Sequence, residues 1–198
     1  MNTIKLQGTI TTDSRLIYES FGEKFYKVYL STARYSGTCD IIPCVISETI
    51  VELAKKGDKV GFIGEIRTDV EYDGNNKRHV NVFVKVHNMF EYEQDENAAT
   101  ISGVRLKTCN FRVTPRGIKI CDFTIASRRE DSNLYDYIPC IVWNNTAKEL
   151  YAETMPDTKL RATGRLQSRV YTKKHDDGTE KDYTVYELSV SKFEIKGE

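Results

Sequence analysis

Stretches in which apolar and polar residues alternate run through the whole chain. Such alternation covers residues 25–33 and 118–126, and longer alternating runs cover residues 59–71 and 158–172. Because successive side chains of a strand point to opposite faces, the pattern predicts half-buried β-strands. The remaining predicted strands cover residues 2–8, 41–46 and 80–92 in the first half and residues 97–103, 137–142 and 183–195 in the second.

One short helix is predicted in each half, between the third and the fourth strand. The first covers residues 48–55 and is stopped by Gly57, and the second covers residues 145–153 and is stopped near Pro156. Asp-Gly pairs, which favour turns, follow both fourth strands. The predicted order is therefore β-β-β-α-β-β in each half.

The same pattern occurs twice, about 95 to 104 residues apart. Residues 41–46 return as residues 137–142, with an Ile-Pro-Cys sequence at the centre of each. Repeats of this length are whole domains, unlike the shorter units that stack into solenoids. The sequence therefore predicts two domains, residues 1–94 and 97–198, joined by a short acidic linker.

Five strands with a helix between the third and the fourth are typical of the OB-fold, a partly open Greek-key barrel. A length of 198 residues suits two such domains of roughly 100 residues, each with its own core. The predicted fold class is thus all-β, with two tandem five-stranded OB-fold barrels. Each barrel carries one short helix between strands 3 and 4.

Composition narrows the possible functions and compartments. The chain has 29 basic and 29 acidic residues, which argues against a strongly basic DNA-coating protein. No apolar run is long enough for a signal sequence or a membrane span, so a cytoplasmic protein that does not enter membranes is expected. The five cysteines form no CxxC pair, and Cys44 and Cys140 recur between aliphatic residues. Both are predicted to be buried, reduced thiols.

Catalytic chemistry finds little support in the sequence. The three histidines lack the spacing of metal ligands. The chain also lacks a phosphate-binding glycine loop and a nucleophile elbow. The prediction is a protein that is not an enzyme, without catalytic residues, a metal or another cofactor.

The second half contains several short segments in a characteristic order. They are Ile101-Ser-Gly103, Phe123-Thr-Ile-Ala-Ser127, residues 137–150 and residues 164–171. In this order and spacing, nearly all of residues 97–195 resembles the bacterial-type single-stranded DNA-binding protein family. The first half matches the same frame more weakly, through residues 2–8 and 56–60.

The resemblance implies that aromatic side chains of the third strand and of the last hairpin stack on bases. The matching positions are Tyr137, Trp143 and Tyr171, whereas the first half has Ile41, Ser47 and Glu71 there. Single-stranded DNA is the implied ligand, and RNA is also possible because stacking is indifferent to the sugar. Family members often assemble four OB-folds, which implies a homodimer. Their acidic, partner-recruiting C-terminal tail is not expected after residue 198.

Basic residues lie beside these aromatic positions, as a groove for single strands requires. Residues i and i+4 of a strand share a face, so Arg165 and Arg169 are expected to point together. The first half has Glu65 and Asp69 at those positions, which predicts weaker binding there. Each arginine could instead lie on a solvated barrel exterior, and each aromatic residue could be half-buried packing. The further candidate residues are Arg128, Arg129, Lys173, Arg34, Tyr35, Arg67 and Tyr72.

Two functions of different classes fit this sequence. The first is binding of single-stranded DNA in DNA replication, repair, recombination or the processing of plasmid or phage DNA. The alternative is a protein–protein adaptor in a replication or conjugation complex, with OB-folds that bind partners. The three aromatic positions favour strand binding, whereas the missing tail and the acidic first half favour the adaptor.

Overall fold

The structure is a computed structural model that describes residues 1–72, 74, 76, 78–130, 132–174 and 178–197, without the side chains of Lys173 and Lys174. The described elements are mainly strands, so the predicted all-β class is confirmed. In chain order they are β1 (Asn2–Ile10), β2 (Arg15–Ser20), β3 (Glu23–Ala33), β4 (Cys39–Ser47), α1 (Glu48–Val51), β5 (Lys59–Tyr72), β6 (Arg78–Phe90), β7 (Glu96–Val113), β8 (Lys119–Arg128), β9 (Tyr135–Trp143), α2 (Asn144–Glu153), β10 (Lys159–Lys174) and β11 (Glu180–Ile195).

The repeats differ at their first strand. The second repeat has the five predicted strands, and its long first strand, β7, is bent by a bulge between Arg105 and Cys109. In the first repeat, this strand is split into β1 and β2, so the prediction of five strands was wrong there. The interruption lies at residues 11–14, and a two-residue turn at Phe21 and Gly22, which both have positive φ, follows β2. Such turns suit tight hairpins, and this one pairs β2 with β3.

The helices lie where they were predicted, with different lengths. Helix α2 begins one residue earlier than expected, whereas α1 ends at Val51 rather than at residue 55. The backbone N–H of Lys55 donates to Asp58 Oδ2 at 2.8 Å. This turn bond competes with helical hydrogen bonding and explains the early end. Of the predicted Asp-Gly turns, Asp73 and Asp177 lie outside the described residues.

A continuous backbone ladder joins the two repeats. Strands β1 and β7 pair in antiparallel fashion, from Asn2 opposite Ile101 to Gln7 opposite Glu96. The sheet therefore runs through both repeats in the order β10-β11-β9-β8-β7-β1-β5-β6-β4-β3-β2. The predicted acidic linker was wrong in part, because β7 already begins at Glu96. The Glu96 carboxylate accepts a hydrogen bond from Gln7 Nε2 at 2.7 Å, across this ladder.

The core residues come from both repeats and include the predicted cysteines. Cys44 and Cys140 are buried free thiols, as predicted, and burial raises the pKa of both well above its ordinary value. Gly64 and Gly164 lie at strand bulges, where a Cβ atom would come within 2.2 Å and 2.1 Å of a carbonyl oxygen. The close approach requires glycine at both bulges. No helix in the described part of the chain is long and apolar enough to span a membrane.

Candidate nucleic-acid interface

Two buried aspartates hold the repeats together away from the β1–β7 ladder. Asp40 and Asp136, at equivalent positions of β4 and β9, are 0 % and 1 % exposed. Asp40 Oδ1 accepts a hydrogen bond from the backbone N–H of Ser168 at 2.9 Å. Asp136 Oδ1 accepts one from the backbone N–H of Thr68 at 2.8 Å. Strand β4 of the first repeat thus binds β10 of the second, and β9 of the second repeat binds β5 of the first.

The side-chain hydroxyl groups of Ser168 and Thr68 complete the junction between the repeats. Ser168 Oγ accepts from the backbone N–H of Ile41 at 3.1 Å, and Thr68 Oγ1 accepts from that of Tyr137 at 2.9 Å. Because each contact recurs with the repeats exchanged, the repeats are related by an approximate twofold axis, as in a symmetric dimer interface. Sequence reasoning missed Asp40 and Asp136. The available signal was an aspartate at the same place before both Ile-Pro-Cys segments.

Four predicted arginines lie at this junction. Arg67 is only 5 % exposed and donates from Nη1 to Asp136 Oδ2 at 3.2 Å, besides an ion pair with Glu65. Arg129 Nη2 donates to Asp136 Oδ1 at 2.8 Å, and Arg34 Nε donates to Asp40 Oδ2 at 2.8 Å. The fourth is Arg165. Buried carboxylates need such partners, because an unpaired buried charge is costly.

Arg165 lies close to Asp40 in a cavity of about 930 Å³. Its Nε is 3.8 Å from Asp40 Oδ2. Burial, followed by the positive charge of Arg34, lowers the pKa of Arg165 although Asp40 opposes the shift. By contrast, the hydrogen bond to Asp40 raises the pKa of Arg34. Arg165 and Arg169, which were expected to point together, line different cavities.

A larger groove, of about 1010 Å³, lies where the two long hairpins meet; we call it the junction groove. The hairpins β5–β6 and β10–β11 form its walls, and strands of the first repeat, with Pro139 of β9, form its floor. Acidic and basic side chains both line it. Asp69 and Glu71 therefore face the same groove as Arg169 and Tyr171, their counterparts in the second repeat. The charged and aromatic lining residues are Tyr18, Lys27, Asp69, Glu71, Arg78, His79, Phe83, Arg169, Tyr171, Tyr183, Tyr186 and Glu187.

Two aromatic pairs contribute rings to the junction groove, one at a wall and one at its floor. Tyr171 stacks on Tyr183, with ring centroids 5.6 Å apart and an interplanar angle of 22°. Tyr18 stacks on Phe25 at 4.8 Å. Burial raises the pKa of Tyr186 to about 12, so its hydroxyl group stays protonated at a higher pH than that of an exposed tyrosine. Stacked rings with one exposed face are the platforms on which unpaired bases stack.

Strand β9 continues the junction groove onto the second repeat. Alternate residues of a strand share a face, so Tyr135, Tyr137 and Trp143 point the same way as Pro139 of the groove floor. We call these four residues the β9 face. Trp143 is 36 % exposed and Tyr137 is 42 % exposed, so one side of each ring contacts solvent.

Comparisons with known proteins identify the family of this chain. The model of the Single-strand binding protein family matches residues 96–195. The chain belongs to this family.

Its relatives match over part of their length. A single-stranded DNA-binding protein from Paenarthrobacter nicotinovorans is 32 % identical over an alignment of 104 residues, which covers 48 % of this chain and 59 % of that protein. One from Halalkalibacterium halodurans is 29 % identical over 80 residues, 38 % of this chain and 48 % of that protein. The matched region thus spans about half to three-fifths of each relative.

Solved structures match over the whole chain. The wild-type single-stranded DNA binding protein from Thermus aquaticus has a TM-score of 0.70 and 19 % identity, covering 100 % of this chain and 94 % of that chain. A deletion mutant of the same protein has a TM-score of 0.72 and 18 % identity, covering 100 % and 95 %. At this identity, the likeness concerns the fold.

The remaining predicted residues are scattered around these surfaces. Tyr35 is fully exposed in the turn between β3 and β4, and Tyr72 is exposed at the end of β5. Arg128 is exposed and donates to Asn133 Oδ1 at 2.6 Å. The side chain of Lys173 lies outside the described part of the structure. Within that part, no three His, Cys, Asp or Glu side chains are grouped to hold a metal ion.

Sequence reasoning missed an aromatic surface in the first repeat. Tyr18, Phe25 and Tyr29 lie on the outward side of β2 and β3, and Lys27 Nζ lies 5.4 Å from the centroid of the Tyr29 ring. The resemblance implies stacking residues on the predicted third strand, which is β4 in the structure. There the first repeat has Ile41 and Ser47 instead of aromatic residues. The signal was the alternation of Phe25, Lys27 and Tyr29, which places them on one face.

Proposed function

We propose that this protein binds single-stranded DNA in the cytoplasm, along the junction groove and the β9 face. The observation that carries the proposal is that a wall and the floor of one groove each present a ring of a stacked aromatic pair beside cations. Tyr171 with Tyr183 forms one platform and Tyr18 with Phe25 the other, and Arg169 and other cations lie beside them. Family membership supports the same ligand.

The groove suits a single strand better than a duplex. Stacking needs bases that are free of a partner, and each stacked base contributes about 1–3 kcal/mol. Lys27, Arg78 and Arg169 line the same groove and can neutralise phosphates between the stacked bases. A duplex hides the faces of its bases, so it would gain only the phosphate contacts.

The mixed charge of the groove limits its affinity. Asp69 and Glu71 lie in the same groove as the three cations, and like charges repel the phosphates. Four predicted arginines are also engaged at the junction: Arg34, Arg67, Arg129 and Arg165. We therefore leave them out of the proposed contact surface. Stacking is thus proposed to contribute more than phosphate contacts.

The cellular role that we propose is the protection or presentation of single strands in DNA replication, repair, recombination or the processing of plasmid or phage DNA. The family resemblance further leads us to propose a homodimer with four OB-folds. Light scattering after size-exclusion chromatography tests the dimer, because two chains of 22.8 kDa double the measured mass.

Fluorescence titration tests the proposed ligand. Trp143 is the only tryptophan, so its emission reports on the β9 face without labelling. We expect quenching by oligo-dT, with weaker binding of a duplex of the same length. Oligo-rU in the same series measures the preference for DNA over RNA.

Fluorescence anisotropy of labelled oligo-dT at low salt is the independent readout. If the anisotropy stays unchanged at micromolar protein, the proposal is wrong and the adaptor role becomes the better hypothesis. Equal affinity for oligo-dT and duplex would likewise contradict stacking as the main contact.

A further inference from the structure

Two cysteine thiols of the second repeat lie against each other. Cys109 on β7 and Cys121 on β8 have their Sγ atoms 2.8 Å apart. The strands are paired in antiparallel register, with Cys109 opposite Phe123 and Phe111 opposite Cys121. The two cysteines are therefore diagonal neighbours on adjacent strands of a hairpin. The bulge between Arg105 and Cys109 sets this local register.

The two thiols differ in their access to solvent. Cys121 is fully buried, whereas Cys109 is half-buried. Burial, together with the hydrogen bond to Cys109, raises the pKa of Cys121 to about 12. An oxidant from solution therefore meets Cys109 first, and Cys121 is in place behind it. Such an arrangement of an accessible and a resolving thiol is what reversible thiol oxidation requires.

We propose that Cys109 and Cys121 form a reversible intramolecular disulfide when the protein meets a small-molecule disulfide. The Cys109 thiolate attacks one sulfur of that disulfide, which forms a mixed disulfide and releases one small thiol. Cys121 then loses its proton as its sulfur attacks Sγ of Cys109, and the second small thiol leaves. Two protein thiols are oxidised and one small disulfide is reduced to two thiols, which carry the two protons.

The pair lies outside the junction groove, although Cys121 pairs with Val142, next to Trp143 of the β9 face. The lining of the junction groove includes no residue of β7 or β8. Phe111, beside Cys109, contacts Tyr151 of α2 with ring centroids 5.2 Å apart. The disulfide would thus fix the β7–β8 hairpin against its helix and leave the groove unchanged. It should raise the thermal stability by restricting the unfolded chain.

Thiol counting and peptide mapping test the proposal on the full chain. The reduced protein is incubated with oxidised glutathione, denatured and alkylated, and its mass is then measured by mass spectrometry. Of the five thiols, we expect Cys109 and Cys121 to escape alkylation without gaining the mass of glutathione, whereas exposed Cys39 is either alkylated or carries one glutathione. Trypsin should then release the peptides of residues 108–112 and 120–128 joined by one disulfide, and dithiothreitol should separate them.

Matched variants identify the pair. Cys121→Ser should leave Cys109 as a mixed disulfide with glutathione, whereas Cys39→Ser, which removes the exposed cysteine, should form the 109–121 link normally. The oxidised wild type should melt at a higher Tm than the reduced protein, and Cys121→Ser should lose that difference.

Three outcomes would overturn the inference. They are five alkylated thiols at every glutathione ratio, a link that involves Cys39 instead, and identical peptides before and after oxidation. The mapping needs only the wild-type chain, so a variant that fails to fold leaves the test intact. It also needs no nucleic acid, so it is independent of the proposed function.

Discussion

Individual side chains determine which contacts the two repeats have in common and which they do not. The junction aspartates, Asp40 and Asp136, keep the same role in both repeats. The groove positions differ, because Asp69 and Glu71 of β5 correspond to Arg169 and Tyr171 of β10. Contacts that hold the molecule together are thus duplicated, whereas contacts that face a ligand are not.

Replacing Trp143 by alanine tests stacking at the β9 face. We expect Trp143→Ala to weaken oligo-dT binding by about 1–3 kcal/mol, because one base loses its stacking partner. Anisotropy of labelled oligo-dT measures the change. Tyr151→Ala removes an exposed aromatic residue of α2 and serves as the control, which should bind normally. A folded Trp143→Ala protein with unchanged affinity would remove Trp143 from the site.

The salt dependence of binding tests Arg169. Its side chain is about half exposed, with Nε 3.5 Å from Glu187 Oε1, so it remains accessible to a phosphate. We expect Arg169→Ala to reduce the slope of log affinity against log salt by about 0.7, since one phosphate contact is lost. Lys148→Ala, on α2, removes the same charge outside the groove. Equal slopes for the two variants would place Arg169 outside the contact surface.

The sequence shows which residue type occupies each of these positions, but not what surrounds that residue in the fold. Trp143 and Tyr171 could be selected by resemblance, because they occupy strand positions with family-like spacing. Arg67 could not be distinguished from Arg169, since both look like exposed cations on an alternating strand. Only the approach of Asp136, 69 positions away in the chain, decides that Arg67 is buried.

At the level of secondary-structure elements, alternation predicted most strands, and stop signals helped to predict both helices. Neither showed which strands pair across the molecule. The β1–β7 ladder joins segments with no pattern that identifies them as partners. Strand β2 was missed because its signal is the turn at Phe21 and Gly22 rather than its own composition. Local periodicity thus predicts an element's type, whereas its partners depend on contacts between distant residues.

Asp136→Asn tests the bond between β9 and β5. The change leaves Arg67 and Arg129 without their shared charge, and breaking a buried pair typically costs about 3–5 kcal/mol. We expect a loss of that size in the free energy of unfolding, measured by urea denaturation. Asp13→Asn, at an exposed site, should change it by less than about 0.5 kcal/mol. A loss as small as that of the control would mean that Asp136 contributes little to the junction.

At the scale of the whole molecule, the two repeats share one groove rather than having one each. The sequence comparison predicted a weak first groove beside a strong second one. The structure instead brings Asp69 and Glu71 into the groove that contains Arg169 and Tyr171. If DNA binds in this groove as proposed, the acidic residues of the first repeat oppose binding to the whole protein.

The double variant Asp69→Asn with Glu71→Gln tests this shared groove. Removing two negative charges beside phosphates should tighten oligo-dT binding by roughly 1 kcal/mol at low salt, and by less at high salt. Anisotropy at two salt concentrations measures both. Glu52→Gln with Glu149→Gln, just after α1 and within α2, changes the net charge equally outside the groove and should have little effect. If both double variants tighten binding alike, net charge alone is responsible.

The imperfect twofold relation between the repeats has a consequence for the direction of a bound strand. With identical repeats, the axis would superpose the groove on itself with the 5′ and 3′ ends exchanged, so both directions would bind equally. Trp143 and Tyr171 have no aromatic counterparts at Ser47 and Glu71. A difference of one stacked base, about 1–3 kcal/mol, favours one direction roughly fivefold or more. A quencher on the 5′ end of oligo-dT should therefore quench Trp143 differently from one on the 3′ end.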